Sequence, residues 1–150
     1  MANEPRVLII EDHDALRAML FAVLRHQPLA VDTAATLTDA LERVASCDYA
    51  LILIDMSLAR DGAEKFFDGY RRINPDASSF IIAVRDPKHD VYIDPDIVSA
   101  VINKPLEIDT LAEVVRECAA VMPPSESSVP CPPAESEVRD KFDRGSLMPN

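Results

Sequence analysis

The run Ala50-Leu51-Ile52-Leu53-Ile54, closed by Asp55, restricts the chain more than any other stretch. Unbroken apolar sequence of this length, without the alternation of a half-exposed strand, reads as a strand buried on both faces. Strands of that kind belong to parallel sheets, where ligands and reactive groups gather beyond the carboxyl ends. Asp55 therefore stands where a reactive acid would be placed. Two further runs repeat the design. Val7-Leu8-Ile9-Ile10 leads into Glu11-Asp12, and Val98 to Ile102 leads into Asn103-Lys104-Pro105. Three strands thus deliver acids and one amine towards a single edge.

Between these runs the pattern alternates. Asp14 is the expected N-cap of a helix through about Arg25, with Leu16, Leu20, Val23 and Leu24 as its apolar stripe and Pro28 beyond its end. Ala30 to Ala34 reads as a short strand whose weak apolar content places it at a sheet edge. Thr38 is the expected cap of a helix through about Ala45, burying Leu41 and Val44. After the central strand, Asp61-Gly62 marks a turn, and a helix from about Ala63 to Ile73 carries Phe66, Phe67 and Tyr70 as a packed face. Phe80 to Val84 is a fourth strand. The segment Arg85 to Asp96, with Pro87, Pro95 and several charges, reads as a loop with at most a short helix. A last helix from about Ile108 to Val121 turns Leu111, Val114, Val115 and Cys118 inward. Five β-α repeats imply a doubly wound α/β fold, a five-stranded parallel sheet with helices on both faces and right-handed crossovers.

From Pro123 the periodicity collapses. The last stretch holds half of the 12 prolines and little apolar content. The expected organisation is one domain over residues 1–122 and a disordered Pro/Ser-rich acidic tail over residues 123–150. At most a turn of helix is expected around Glu135 to Phe142, and the tail should be dispensable for the fold. A net charge of −11 disfavours a nucleic-acid backbone or an anionic membrane as partner. No apolar run approaches the roughly 20 residues that span a bilayer. Met1 to Arg6 has no signal-peptide core, so a cytoplasmic location is expected. Cys47, Cys118 and Cys131, without metal-ligand spacing, read as reduced thiols, the first two packed as small apolar residues.

Glu11, Asp12 and Asp55 would repel one another unless a cation sat among them, so the trio reads as a site for a hard divalent ion. Mg²⁺ suits it, because that ion takes oxygen ligands and bridges carboxylates to phosphoryl groups. Lys104 can pair with Asp55 at rest and with a phosphoryl oxygen afterwards. A carboxylate so placed is a competent acceptor in in-line phosphoryl transfer. His13, His26 and His89 are scattered, and His13 beside the acid pair reads as a solvated loop residue. Nothing suggests a Ser-His-Asp triad, a P-loop or a dinucleotide fingerprint.

The segments IIEDHD, LILIDM and VINKPL, in this order and spacing, resemble the receiver domain of two-component response regulators over residues 5–122. The resemblance implies a flavodoxin-like strand order 2-1-3-4-5 and a stand-alone, chemotaxis-type receiver. It makes Asp55 the phosphoacceptor, with Glu11, Asp12 and Asp55 holding Mg²⁺, the Ser57 carbonyl a further ligand and Lys104 on the phosphoryl group. It further implies a non-enzymatic signalling switch, fed by a histidine kinase or phosphotransfer protein and acting through contacts with a downstream protein.

Four departures bear on the switch. The family's Thr or Ser after the fourth strand is replaced, with Val84 and Arg85 as the candidates. Val101 stands where the family has an aromatic ring. The stretch from Arg85 to Lys104 is short, so the fourth helix is expected to be reduced or missing. The loop after Asp55 lacks the usual proline and is one residue short. Two rival readings follow. One is a pseudo-receiver that works as an interaction module without phosphorylation; the other, a metal-dependent phosphotransferase or phosphatase, lacks a second catalytic acid.

Overall fold

The computed structural model describes residues 4–76, 78–121 and 131–138. Five strands, β1 (Arg6–Ile10), β2 (Ala30–Ala34), β3 (Leu51–Asp55), β4 (Phe80–Arg85) and β5 (Ala100–Asn103), form one sheet in the order β2-β1-β3-β4-β5. Every pairing is parallel. The helices are α1 (Asp14–Leu24), α2 (Leu37–Ser46), α3 (Gly62–Ile73) and α4 (Ile108–Ala120), with a 3-10 turn at Ala59–Asp61. The architecture is the doubly wound sheet expected from the sequence.

The unbroken apolar runs are explained by two cores, one on each face. Leu8, Ile10, Ile52, Ile54, Ile81 and Ala83 face α2 and α3, against Val44, Phe66 and Tyr70. Val7, Ile9, Leu51, Leu53, Ile82 and Val84 face α1 and α4, against Leu20, Leu24, Leu111 and Val115. Alternate residues of each strand thus enter opposite cores, so no position from Val7 to Ile10 or from Leu51 to Ile54 is free to be polar. All three rings of α3 are buried: Phe66 and Tyr70 stack at 5.6 Å, and the Tyr70 hydroxyl donates to Ser79 Oγ at 2.6 Å.

The helix caps lie one or two residues from their expected positions. His13, not Asp14, caps α1: its Nδ1 accepts from the Leu16 amide at 3.2 Å, and Asp14 becomes the acid of the first turn. Thr36, not Thr38, caps α2, its Oγ1 accepting from the Asp39 amide at 3.1 Å. Either hydroxyl suits the role chemically; the end of β2 at Ala34 determines which one reaches the free amides. Phe21 of α1 is buried although the expected stripe omitted it, and Leu16 and Val23 are only half-buried.

β5 begins at Ala100 rather than Val98 and is only half covered. Residues 86–99 contain turns and no helix. Val91, Ile93 and Ile97 from this segment pack on the α2/α3 core where a helix would lie. The substitute is incomplete: Val101 is 40% exposed and Tyr92 is 77% exposed.

The largest difference from the sequence reading concerns the tail. Residues 131–138, expected to be disordered apart from a possible turn, lie along the outer edge of β2 and include a helical turn at 135–138. Ala134 and Ser136 are buried. Ser136 Oγ accepts from the Val31 amide at 2.9 Å, and Glu135 Oε1 accepts from the Thr33 amide at 2.9 Å. Arg6 donates to the Pro132 carbonyl at 2.7 Å. The rest of the expected tail, at 123–130 and 139–150, lies outside the described residues. What holds the segment is polar rather than apolar, which is why hydropathy gave no sign of it.

Candidate functional site

β1 and β3 are neighbours, and their carboxyl ends place Glu11 and Asp55 together. Both carboxylates are buried, at 3% exposure each. Asp55 Oδ2 pairs with Lys104 Nζ at 3.0 Å. Its Oδ1 accepts from the Ser57 amide at 2.9 Å and from the Ser57 hydroxyl at 2.6 Å, an Asx-type turn that aims the carboxylate. Lys104 reaches Ser57 Oγ as well, at 3.3 Å. Glu11 accepts from the His13 amide at 3.0 Å and is close enough to Asp55 for the two carboxyls to influence each other.

The two acids are driven apart in proton affinity. Burial, followed by the hydrogen bond with Asp55, pushes the Glu11 carboxyl up to about 8. Burial would raise Asp55 too, but hydrogen bonds from Glu11, Ser57 and Lys104 outweigh it and hold its carboxyl well below the usual range. The pair thus favours a protonated Glu11 beside an ionised Asp55, whose charge Lys104 balances.

The sequence-derived site residues converge, with one difference. Glu11, Asp55, Ser57 and Lys104 form one connected group. Asp12 is exposed and turned to the loop after β3, where its Oδ2 accepts from the Ala59 amide at 3.2 Å. Among the described residues, no three carboxylate, imidazole or thiol groups are already gathered as a metal cage. The donor chemistry nevertheless fits Mg²⁺: every available ligand is oxygen, and a hard cation would supply the neutralisation that two neighbouring buried carboxylates need.

The Ser57 side chain was missed by sequence reasoning, which considered only its carbonyl. The Asp-x-Ser spacing was the available signal, since Asp side chains bond the amide two residues on. Arg17 also belongs here, its guanidinium donating to the Glu11 carbonyl at 3.1 Å. The residues at the expected switch positions do not join the group. Val84 lies opposite Asp55 in register but is buried in the α1/α4 core. Arg85 donates to Asn103 Oδ1 at 3.1 Å.

Comparison with known proteins agrees with this geometry. The family model described as the response regulator receiver domain matches residues 7–116. No curated protein matches the chain. Among solved structures, a CheY-like response regulator receiver domain from Methylobacillus flagellatus is 22% identical, with a TM-score of 0.65 over 76% of this chain and 98% of its own. A response regulator protein from Thermotoga maritima, solved in complex with Mg²⁺ and BeF, is 23% identical, with a TM-score of 0.62 over the same shares. The receiver domain of the hybrid histidine kinase CckA is 22% identical, also at 0.62 over 76% of this chain and 98% of its own.

Proposed function

The chain belongs to the response regulator receiver domain family, and from that membership we propose that it is a phosphorylation-dependent switch with Asp55 as phosphoacceptor. The observation that carries this reading is the ion pair from Lys104 Nζ to Asp55 Oδ2 at 3.0 Å, at the carboxyl end of β3. Three donors, two from Ser57 and one from Lys104, outweigh the cost of burial and keep Asp55 ionised at its strand end, as a nucleophile must be. An Asp55 oxygen attacks the phosphorus of a phosphohistidine on a histidine kinase or phosphotransfer protein, and the imidazole leaves in line. Lys104 then follows the charge from the carboxylate to the phosphoryl oxygens. Glu11, Asp12, Asp55 and the Ser57 carbonyl would hold Mg²⁺, which supplies neutralisation of the phosphoryl charge.

The product acts through protein contacts rather than catalysis on a small molecule. The net charge of −11 argues against a nucleic-acid target, and membership of the receiver family supports a cytoplasmic location. Among the described residues no helix is long and apolar enough to cross a membrane. The test is to incubate the protein with Mg²⁺ and a small acyl phosphate and to weigh it intact. One phosphoryl group is expected on the wild type and none on Asp55→Asn. An unmodified wild type would leave a receiver fold working as an interaction module.

A further inference from the structure

Cys47 and Cys131 are far apart in sequence, yet Cys131 packs on the core cluster that contains Cys47, and its neighbour Pro132 lines one cavity with Cys47. Cys47 follows the last residue of α2 and is buried; Cys131 is half-buried and packs on the same core cluster. The position of Cys131 does not depend on this contact. It is set by the Arg6 bond to the Pro132 carbonyl on one side and by Glu135 and Ser136 on β2 on the other. Cys118 lies on α4 in the opposite core, so it is no alternative partner. We propose that Cys47 and Cys131 are a modification site: a small disulfide such as oxidised glutathione converts them to an intrachain disulfide that fastens residues 131–138 to the β2 edge.

The chemistry balances in two exchanges. The more exposed Cys131 attacks one sulfur of the small disulfide, forms a mixed disulfide and releases one thiol. Cys47 then attacks the Cys131 sulfur and releases the second thiol. Both protons and both electrons leave on the two released thiols. Cys131 is the more accessible thiol and so makes the first attack, while burial, followed by the neighbouring Cys131, pushes the Cys47 thiol up to about 12. In the reduced form both residues already pack on one core cluster, so the bond closes without moving the sheet. The bond shuts a long loop, the case in which constraining the unfolded chain stabilises most.

The test uses the full chain, reduced and then exposed to excess oxidised glutathione, alkylated and weighed. The expected product has lost two hydrogens and takes one alkyl group, on Cys118, with a Cys47–Cys131 cross-linked peptide after digestion. Its thermal midpoint should rise by about 5–10 °C. Exchange of the Val31 and Thr33 amides, which donate to the fastened segment, should slow on oxidation. Cys118→Ser should behave as wild type, and the half-buried Cys131→Ser, which tests the pair without disturbing the core, should show neither change. A lasting glutathione adduct on Cys131, a bond to Cys118, a disulfide between molecules, or unchanged amide exchange would each overturn the proposal.

Discussion

Glu135 and Asp32 meet at the outer edge of the sheet, the Glu135 amide donating to Asp32 Oδ1 at 2.9 Å. Asp32 is wholly buried in β2, an expensive place for a carboxylate unless donors surround it. Its other oxygen takes Arg6 at 2.7 Å and the Tyr49 hydroxyl at 2.6 Å. Arg43 stands between Asp32 and Glu135 and pairs with both. The C-terminal segment thus completes a buried polar network that the rest of the domain leaves one donor short.

Deleting residues 131–150 should therefore destabilise the domain, against the expectation from composition that the tail is dispensable. The deletion strips Asp32 Oδ1 of its amide donor and frees the Val31 and Thr33 amides, a loss of about 1–3 kcal/mol. Urea denaturation of the shortened and full chains measures it. Equal midpoints would mean that water replaces the segment at no cost.

Tyr49→Phe isolates the same network with one atom. The buried Asp32 carboxylate loses a hydroxyl donor while packing is kept, and stability should fall by about 1.5–3 kcal/mol, the range for hydrogen bonds to charged groups. Equilibrium denaturation is again the measurement, and an unchanged midpoint would place Asp32 adequately between the two arginines alone.

The proton on Glu11 gives the unliganded protein a characteristic pH dependence. Its carboxyl is raised from 4.5 to about 8 on folding, so the folded chain holds a proton that the unfolded chain releases. This contribution is fully present below pH 4.5 and is lost as pH rises towards about 8. Asp55 runs the other way: its stabilisation is present above the ordinary carboxylate value of 3.8 and is lost only in stronger acid. Thermal midpoints without Mg²⁺ should decline from pH 5 to 8, and Glu11→Gln should flatten the decline.

Mg²⁺ affinity should rise over the same interval, because a hard cation must displace the Glu11 proton. Asp12→Ala should weaken binding by about tenfold or more, since few protein ligands are available to an ion that keeps several waters. Calorimetric titration checks both. Equal affinity in mutant and wild type would take Asp12 out of the ligand set and leave it as the acceptor of the Ala59 amide.

Beryllofluoride with Mg²⁺ should move amide resonances near Asp55 and in residues 86–96 but leave β5 nearly still. Differential contacts are what shift a two-state equilibrium, and the residues here that could make them are occupied or misplaced. Val84 is packed in a core, Arg85 is tied to Asn103, and Val101 has no ring to bury. Large shifts through Ala100 to Asn103 would show that the switch uses another route.

The sequence was readable wherever a core dictated it. Buried strands can only be apolar, so the runs before Glu11 and Asp55 announced both the sheet and its reactive edge. The Lys104 pairing followed from the same logic, because a lone amine at that edge has a carboxylate to meet. What escaped was polar and local. The choice of Thr36 over Thr38 depends on where β2 stops, and the Ser57 hydroxyl acts through a turn only two residues long. Residues 131–138 escaped for a related reason. Their hold on β2 runs through Glu135, Ser136 and a proline carbonyl, and none of these distinguishes a docked strap from solvated chain in a hydropathy reading.

The covering of β2 leaves the sheet with unlike ends. On one margin the Val31 and Thr33 amides are spent on Ser136 and Glu135, so an incoming strand would find no donors there without first evicting the segment. On the other margin β5 is short, half covered and flanked by an irregular stretch instead of a helix. Growth by strand addition, whether into a fibre or onto a foreign peptide, is thereby made one-directional. A head-to-tail stack needs two open margins, and the described residues leave one, so the edge chemistry favours termination after a single pairing over indefinite extension.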